Sequence, residues 1–186
     1  DDFEGHEGCN EILNVTRPDV VRAVHDAYFE VGVDLVETNT FGANWANLAE
    51  YDITERIEEL AESGARIARE SADHWSTPEQ PRFVIGSVGP GTKLPTLGHA
   101  PYALLRDAYQ RQVEGMLAGG VDAVLVETVQ DVLQAKAALV GARRAMNAVG
   151  SSAVLIAQIT VETTGTMLVG TETSAALVAL EPLGID

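Results

Sequence analysis

Short runs of consecutive apolar residues alternate along this chain with longer stretches in which apolar positions return every three or four residues. The runs at 33–37, 82–88, 121–126 and 153–157, the last continuing to 161, have the length and β-branched content of buried strands. The periodic stretches predict helices. One starts at Thr16 and Pro18, with Val20, Val21, Val24, Tyr28 and Val31 on a single face; Pro at a first helical position forfeits no internal hydrogen bond. A second is capped by Thr54 and carries Ile57, Leu60, Ala61, Ile67 and Ala68. A third follows Pro101 and turns Leu104, Leu105, Ala108, Tyr109, Val113, Met116 and Leu117 inward. A fourth runs from Asp131 to about 149, and a fifth covers 173–183. Residues 1–17 read as an irregular lead-in and 76–81 as a turn-rich connector.

Helix and strand thus alternate, and the strands are apolar throughout rather than amphipathic. That pattern belongs to a parallel α/β sheet covered by helices. An open doubly wound sheet and part of a (β/α)8 barrel both satisfy it. Gly32-Val33-Asp34, Gly120-Val121-Asp122 and Gly184-Ile185-Asp186 repeat one junction, in which Gly ends a helix and a strand begins. The third copy coincides with the end of the sequence. A whole barrel takes about 250 residues, so 186 residues with four complete strands read as a partial (β/α)8 TIM barrel, a single domain over 1–186 cut at both ends.

Composition narrows the partners. The formal net charge of −16, with ten Arg but only Lys93 and Lys136, excludes nucleic acid and anionic membranes, which need clustered cations. No apolar run approaches a membrane span and no signal peptide is visible, so a cytoplasmic address is expected. Cys9 is the one cysteine, leaving no intrachain disulfide and no cysteine-based metal site within this sequence. His6, His25, His74 and His99 show no metal-ligand spacing; His99 reads as a loop histidine and His25 as a helix-surface one.

Candidate chemistry gathers just after the strands. Glu37 and Glu127 each end one, so a parallel sheet brings both to the same rim, where paired carboxylates bind a substrate ammonium, ligate a metal or act as acid and base. Each could instead cap a helix or pair with an Arg. The 86–93 loop, Gly-Ser-Val-Gly-Pro-Gly-Thr-Lys, lacks the Gly-Lys-Ser/Thr order of a phosphate loop. A rigid turn and a set of backbone amides open to an anion both fit it. Gln158 and Thr160 share one strand face by the two-residue period and line a cavity or satisfy one another.

The motifs Gly8-Cys9-Asn10-Glu11-Ile12-Leu13-Asn14, Glu37-Thr38-Asn39-Thr40-Phe41-Gly42, Gly86-Ser87-Val88-Gly89-Pro90, Lys93-Leu94-Pro95-Thr96-Leu97-Gly98, Glu127-Thr128-Val129-Gln130-Asp131 and Thr163-Thr164-Gly165-Thr166-Met167-Leu168 span the chain in order. Together they resemble the homocysteine S-methyltransferase family, and within it the homocysteine-binding domain of the cobalamin-dependent methionine synthases. The resemblance implies a (β/α)8 barrel in which zinc binds homocysteine's thiol as thiolate, and methyl transfer to that thiolate forms methionine. Cobalamin carries the methyl group and methyltetrahydrofolate replenishes it, both on other modules; the cobalamin-binding module is then a partner. The family's zinc ligands lie in Asn-Cys and Gly-Gly-Cys-Cys motifs absent from this sequence, and its first-strand Asp-Gly-Ala-Met-Gly-Thr segment is absent too. By resemblance Glu127 pairs with the homocysteine ammonium, Thr38, Asn39, Thr40 and Phe41 line the pocket, and Gln158 and Thr160 are further pocket residues. A stand-alone methyltransferase with a sulfonium or betaine donor, or a noncatalytic fragment without the zinc site, are the other expectations.

Overall fold

Strand order settles the architecture. In the computed structural model, which describes residues 2–186, the strands β1 (Leu35–Glu37), β2 (Phe83–Val88), β3 (Ala123–Val129) and β4 (Val154–Ile159) form one parallel sheet in the order β1-β2-β3-β4. A doubly wound sheet reverses direction at a switch point, whereas here each strand pairs with the next one along the chain. Right-handed crossovers in a monotonic order put every helix on the same face, which is the wall of a (β/α)8 barrel. The connecting helices are α1 (Leu13–Thr16), α2 (Pro18–Glu30), α3 (Trp45–Leu48), α4 (Ile57–Trp75), α5 (Tyr102–Ala118), α6 (Val132–Val149) and α7 (Thr173–Leu180). Helices α2, α4, α5 and α6 pack side by side in that sequence.

The core lies between these helices and one strand face. Val36, Val84, Val124, Val126 and Leu155 point to it and are buried, together with Leu60, Met116 and Leu139 from the helices. The opposite face is the barrel's inner wall, and its lower layer stays open to solvent: Leu35, Phe83 and Val154 are 45%, 45% and 43% exposed. Gly115 on α5 and Gly141 on α6 let neighbouring helices approach closely. A Cβ on Gly115 would sit 2.5 Å from the Glu58 carbonyl, and one on Gly141 2.5 Å from that of Arg106.

Several local expectations change. Val21 is buried, but Val20, Val24, Tyr28 and Val31 are exposed, because α2 flanks the sheet edge and no further element covers it among the described residues. His25 is buried rather than on the helix surface, its Nε2 has no hydrogen-bond partner, and burial holds its pKa below the usual histidine value. Leu104 is half-exposed. Thr54 makes no side-chain cap, since a 3₁₀ turn at Thr54–Arg56 precedes α4. The lead-in is ordered: a 3₁₀ turn at Asn10–Ile12 runs into α1. Ile185 and Asp186 form no strand, although Asp186 is bonded to the start of β4. Among the described residues no helix is long and apolar enough to cross a membrane.

Candidate functional site at the strand ends

The rim of β1 is sewn to the rim of β2 by buried hydroxyls. Thr38 Oγ1 accepts the Ser87 N–H at 3.0 Å, and Thr40 Oγ1 donates to the Ser87 carbonyl at 2.8 Å. The two hydroxyls lie 2.6 Å apart. Because the Thr40 proton is already used, Thr38 must be the donor between them. Gln112 on α5 then donates to the Thr40 carbonyl at 2.8 Å. Thr38 and Thr40 are therefore buried cross-links within the rim.

The loop that follows β1 is held from below by the N-terminal motif. Asn39 Nδ2 donates to the Asn10 carbonyl and to Asn14 Oδ1, both at 2.9 Å, and Asn14 returns a bond to the Asn39 carbonyl at 2.7 Å. The buried Glu11 carboxylate accepts the Gly42 N–H at 2.7 Å. Cys9 packs behind it and donates to Glu11 Oε2; burial and the Glu11 charge push its thiol up to about 11. A thiol with that pKa stays protonated at neutral pH and serves as packing, not as a ligand. Phe41 is half-exposed, and its carbonyl accepts the Gly89 N–H at 3.1 Å.

At the end of β3 the pairing with β4 is irregular between Val126 and Val129, and Thr128 sits there at φ 58°. A β-branched residue in the left-handed region is strained, and such strain persists only where its surroundings enforce it. The result turns the half-buried Glu127 toward β2, where Ser87 Oγ donates to its Oε1 at 2.5 Å. Glu37 enters the same field. Partial burial of its carboxyl group, and then the charge of Glu127, raise its pKa above the ordinary carboxylate range, although the residue as a whole is exposed. Both carboxylates stand at the C-terminal ends of their strands, Glu37 on β1 and Glu127 on β3, with β2 between them. Gln158 is exposed on the inner face of β4; Thr160, just past that strand, is half-buried with its N–H on the Val129 carbonyl at 2.8 Å.

The 89–98 loop is fixed by three buried side chains whose bonds to it are not read from the sequence. Tyr109 donates to the Pro90 carbonyl at 2.8 Å, and Gln134 donates to the same carbonyl and to that of Lys93. Asp131, fully buried, accepts from Thr96 N–H at 2.9 Å and Thr96 Oγ1 at 2.7 Å while capping α6 through Leu133 N–H at 2.8 Å. The amides of Gly89, Leu94 and Thr96 are consumed internally, and Lys93 lies 3.8 Å from Glu50, so this part of the loop is a braced turn. The usable signal was the polar side chain at a helix start, Asp131, facing a Pro-rich loop in sequence. The helical period reads Tyr109 as inward-facing, and it is buried; Gln134 gives no signal, since a polar group on a helix face normally meets water.

A parallel barrel wall with two carboxylates at the C-terminal ends of its strands has the rim at which (β/α)8 proteins carry their sites. The sequence profile of the homocysteine S-methyltransferase family matches residues 1–186, and the chain belongs to that family. The chain is 60% identical over its full length to methionine synthase from Mycobacterium tuberculosis, of which it spans 16%, and 60% identical to that from Mycobacterium leprae, of which it spans 15%. It therefore covers about a sixth of these relatives. Its fold matches the homocysteine methyltransferase MmuM from Escherichia coli with a TM-score of 0.71 for the metallated form, at 19% identity over 92% of this chain and 62% of that one. The apo form gives 0.70 at 21% identity over 95% and 62%.

Proposed function

We propose that residues 1–186 form part of the homocysteine-binding barrel of a cobalamin-dependent methionine synthase, with Glu127 as the partner of the homocysteine ammonium. The carrying observation is the half-buried Glu127 at the C-terminal end of β3, held at one oxygen by Ser87 Oγ at 2.5 Å, with Glu37 at the end of β1 on the same rim; a ligand cation there meets carboxylates rather than water. Ser87 orients Glu127 through its short hydrogen bond to Oε1, and Oε2, which has only a long 3.5 Å contact from the Thr128 hydroxyl, is the oxygen offered to the ligand. Asn39 and Phe41 line the pocket, Thr38 and Thr40 hold that wall in place, and Gln158 and Thr160 supply the facing wall. The 60% identity over 186 residues to methionine synthase from Mycobacterium tuberculosis, of which the chain spans 16%, supports this reading.

Zinc would activate the homocysteine thiol as a thiolate, with donors that this reading places outside residues 2–186. Among the described residues no group of three or more His, Cys, Asp or Glu side chains is placed to hold an ion, and the Cys9 thiol is committed to Glu11. The role of these residues is to bind and orient the amino acid. Methyl delivery, through cobalamin recharged from methyltetrahydrofolate, belongs to the rest of the polypeptide. In the full polypeptide Glu127→Ala weakens homocysteine binding by about 10- to 100-fold, the worth of one charge-assisted hydrogen bond. Calorimetric titration reads this directly, and unchanged affinity removes the assignment.

A further inference from the structure

Where β1 stops pairing with β2, two side chains take over from the backbone. Phe83 N–H donates to the Asp34 carbonyl at 3.0 Å, and Thr38 N–H to the Ile85 carbonyl at 2.9 Å. A parallel ladder repeats every two residues. Its next rungs would run from Ser87 N–H to the Thr38 carbonyl and from Thr40 N–H to the Ser87 carbonyl. Instead, Thr40 N–H turns back on the Thr38 carbonyl at 2.9 Å, closing a three-residue turn. The hydroxyls of the same two residues fill both rungs: Thr38 Oγ1 accepts the Ser87 N–H, and Thr40 Oγ1 donates to the Ser87 carbonyl.

Each hydroxyl must donate and accept at once, which a β-branched apolar side chain of the same shape cannot do. Thr40 is also held from two helices. Gly64 of α4 leaves room for its methyl, since a Cβ there would lie 2.8 Å from Thr40 Cγ2. Gln112 of α5 donates to the Thr40 carbonyl at 2.8 Å, while its own Oε1 is buried with no partner among the described residues. An unpaired buried amide oxygen is costly, so the bond to Thr40 is kept at the expense of the core. The spliced residue is Ser87, whose Oγ holds Glu127 Oε1 at 2.5 Å.

We propose that Thr38 and Thr40 are positioning residues for the ammonium subsite: their hydroxyls fix both backbone groups of Ser87, and Ser87 aims Glu127. This rests on the reading that Glu127 binds the homocysteine ammonium. The turn lets the chain leave the sheet toward Asn39 and Phe41 while β2 keeps its place, so the wall beside the carboxylate opens without loosening it. At 5% and 0% exposed, the two threonines act from behind the pocket.

The test titrates L-homocysteine and 4-mercaptobutanoate, which lacks the amino group, into the full polypeptide. Thr40→Val keeps the shape and removes the hydroxyl; it is expected to lower the preference for homocysteine from roughly 30-fold to roughly fivefold, the worth of one hydrogen bond. Thr40→Ser keeps the hydroxyl and is expected to stay within about twofold of the parent. Ser87→Ala cuts the same chain at its other end, should lose as much, and serves if Thr40→Val does not fold. Added to Ser87→Ala, Thr40→Val changes nothing more, because the link to Glu127 is already gone. Full preference in Thr40→Val or Ser87→Ala, equal weakening of both ligands, or additive losses overturn the proposal. Glu127→Gln, run alongside, separates the two readings. If it loses the preference while Thr40→Val and Ser87→Ala keep it, only the role of the threonines falls; if it keeps the preference, the ammonium assignment falls and their role with it.

Discussion

Replacing Asp131 by alanine tests whether the 89–98 loop is braced as described. The substitution removes three hydrogen bonds from a fully buried carboxylate: the cap on Leu133 N–H and both bonds to Thr96. Loss of an N-cap costs about 1 kcal/mol. Each bond from Thr96 to the charged group is worth about 1.5 kcal/mol at the lower end of the range, and since Thr96 is exposed and regains water, about half of that survives as a net loss. The sum is about 2–3 kcal/mol, which for a domain of this size lowers Tm by roughly 4–10 °C. Urea denaturation should show a lower midpoint with an unchanged slope, since the surface exposed on unfolding is the same. Asp131→Asn caps a helix as well as Asp and keeps one acceptor, so it should lose only about 1 kcal/mol. A loss below about 0.5 kcal/mol for the alanine variant would refute the brace, because no surface group behaves differently.

Three further substitutions probe the same account. Glu37 has a pKa raised in the folded state, so its ionised form costs stability: the cost is absent below the ordinary carboxylate range and is fully present once the pH exceeds the folded value. Glu37→Gln should therefore be more stable than the parent at neutral pH, with the difference vanishing in acid, as pH-dependent melting would show. Thr128→Gly relieves the left-handed strain at φ 58° and should gain about 1 kcal/mol in denaturant unfolding while weakening homocysteine binding, because Glu127 is then less firmly aimed. Gly141→Ala puts a methyl 2.5 Å from the Arg106 carbonyl and should cost about 1–3 kcal/mol by forcing α5 and α6 apart; a neutral result would mean that the helices separate freely.

The fold was legible because helix and strand signals agree along most of the chain. Helix α6 lies where Asp131 and the apolar period place it, and β2, β3 and β4 follow the apolar runs. Monotonic strand order, which separates a barrel from a doubly wound sheet, is a matter of which strands meet and has no local signature. Trp45–Leu48 is too short a helix to show a period. The face of α2 was read as core on periodicity alone, but its burial depends on a neighbour beyond β1. At the rim, Glu37 and Glu127 announced themselves by breaking apolar strands. Glu11, Asn14, Gln112 and Gln134 did not, because a polar residue next to a turn or on a helix normally faces solvent. Their roles exist only through contacts with segments tens of residues away.

The most direct measurement of the central claim is a calorimetric titration of the full polypeptide with L-homocysteine and with 4-mercaptobutanoate, the same ligand without its amino group. Both ligands are run against the parent sequence and Glu127→Gln. If Glu127 holds the ammonium, the parent prefers homocysteine by roughly 30-fold, about 2 kcal/mol, and the variant reduces that preference to a few-fold. An undiminished preference in Glu127→Gln would contradict the assignment and place the ammonium elsewhere on the rim.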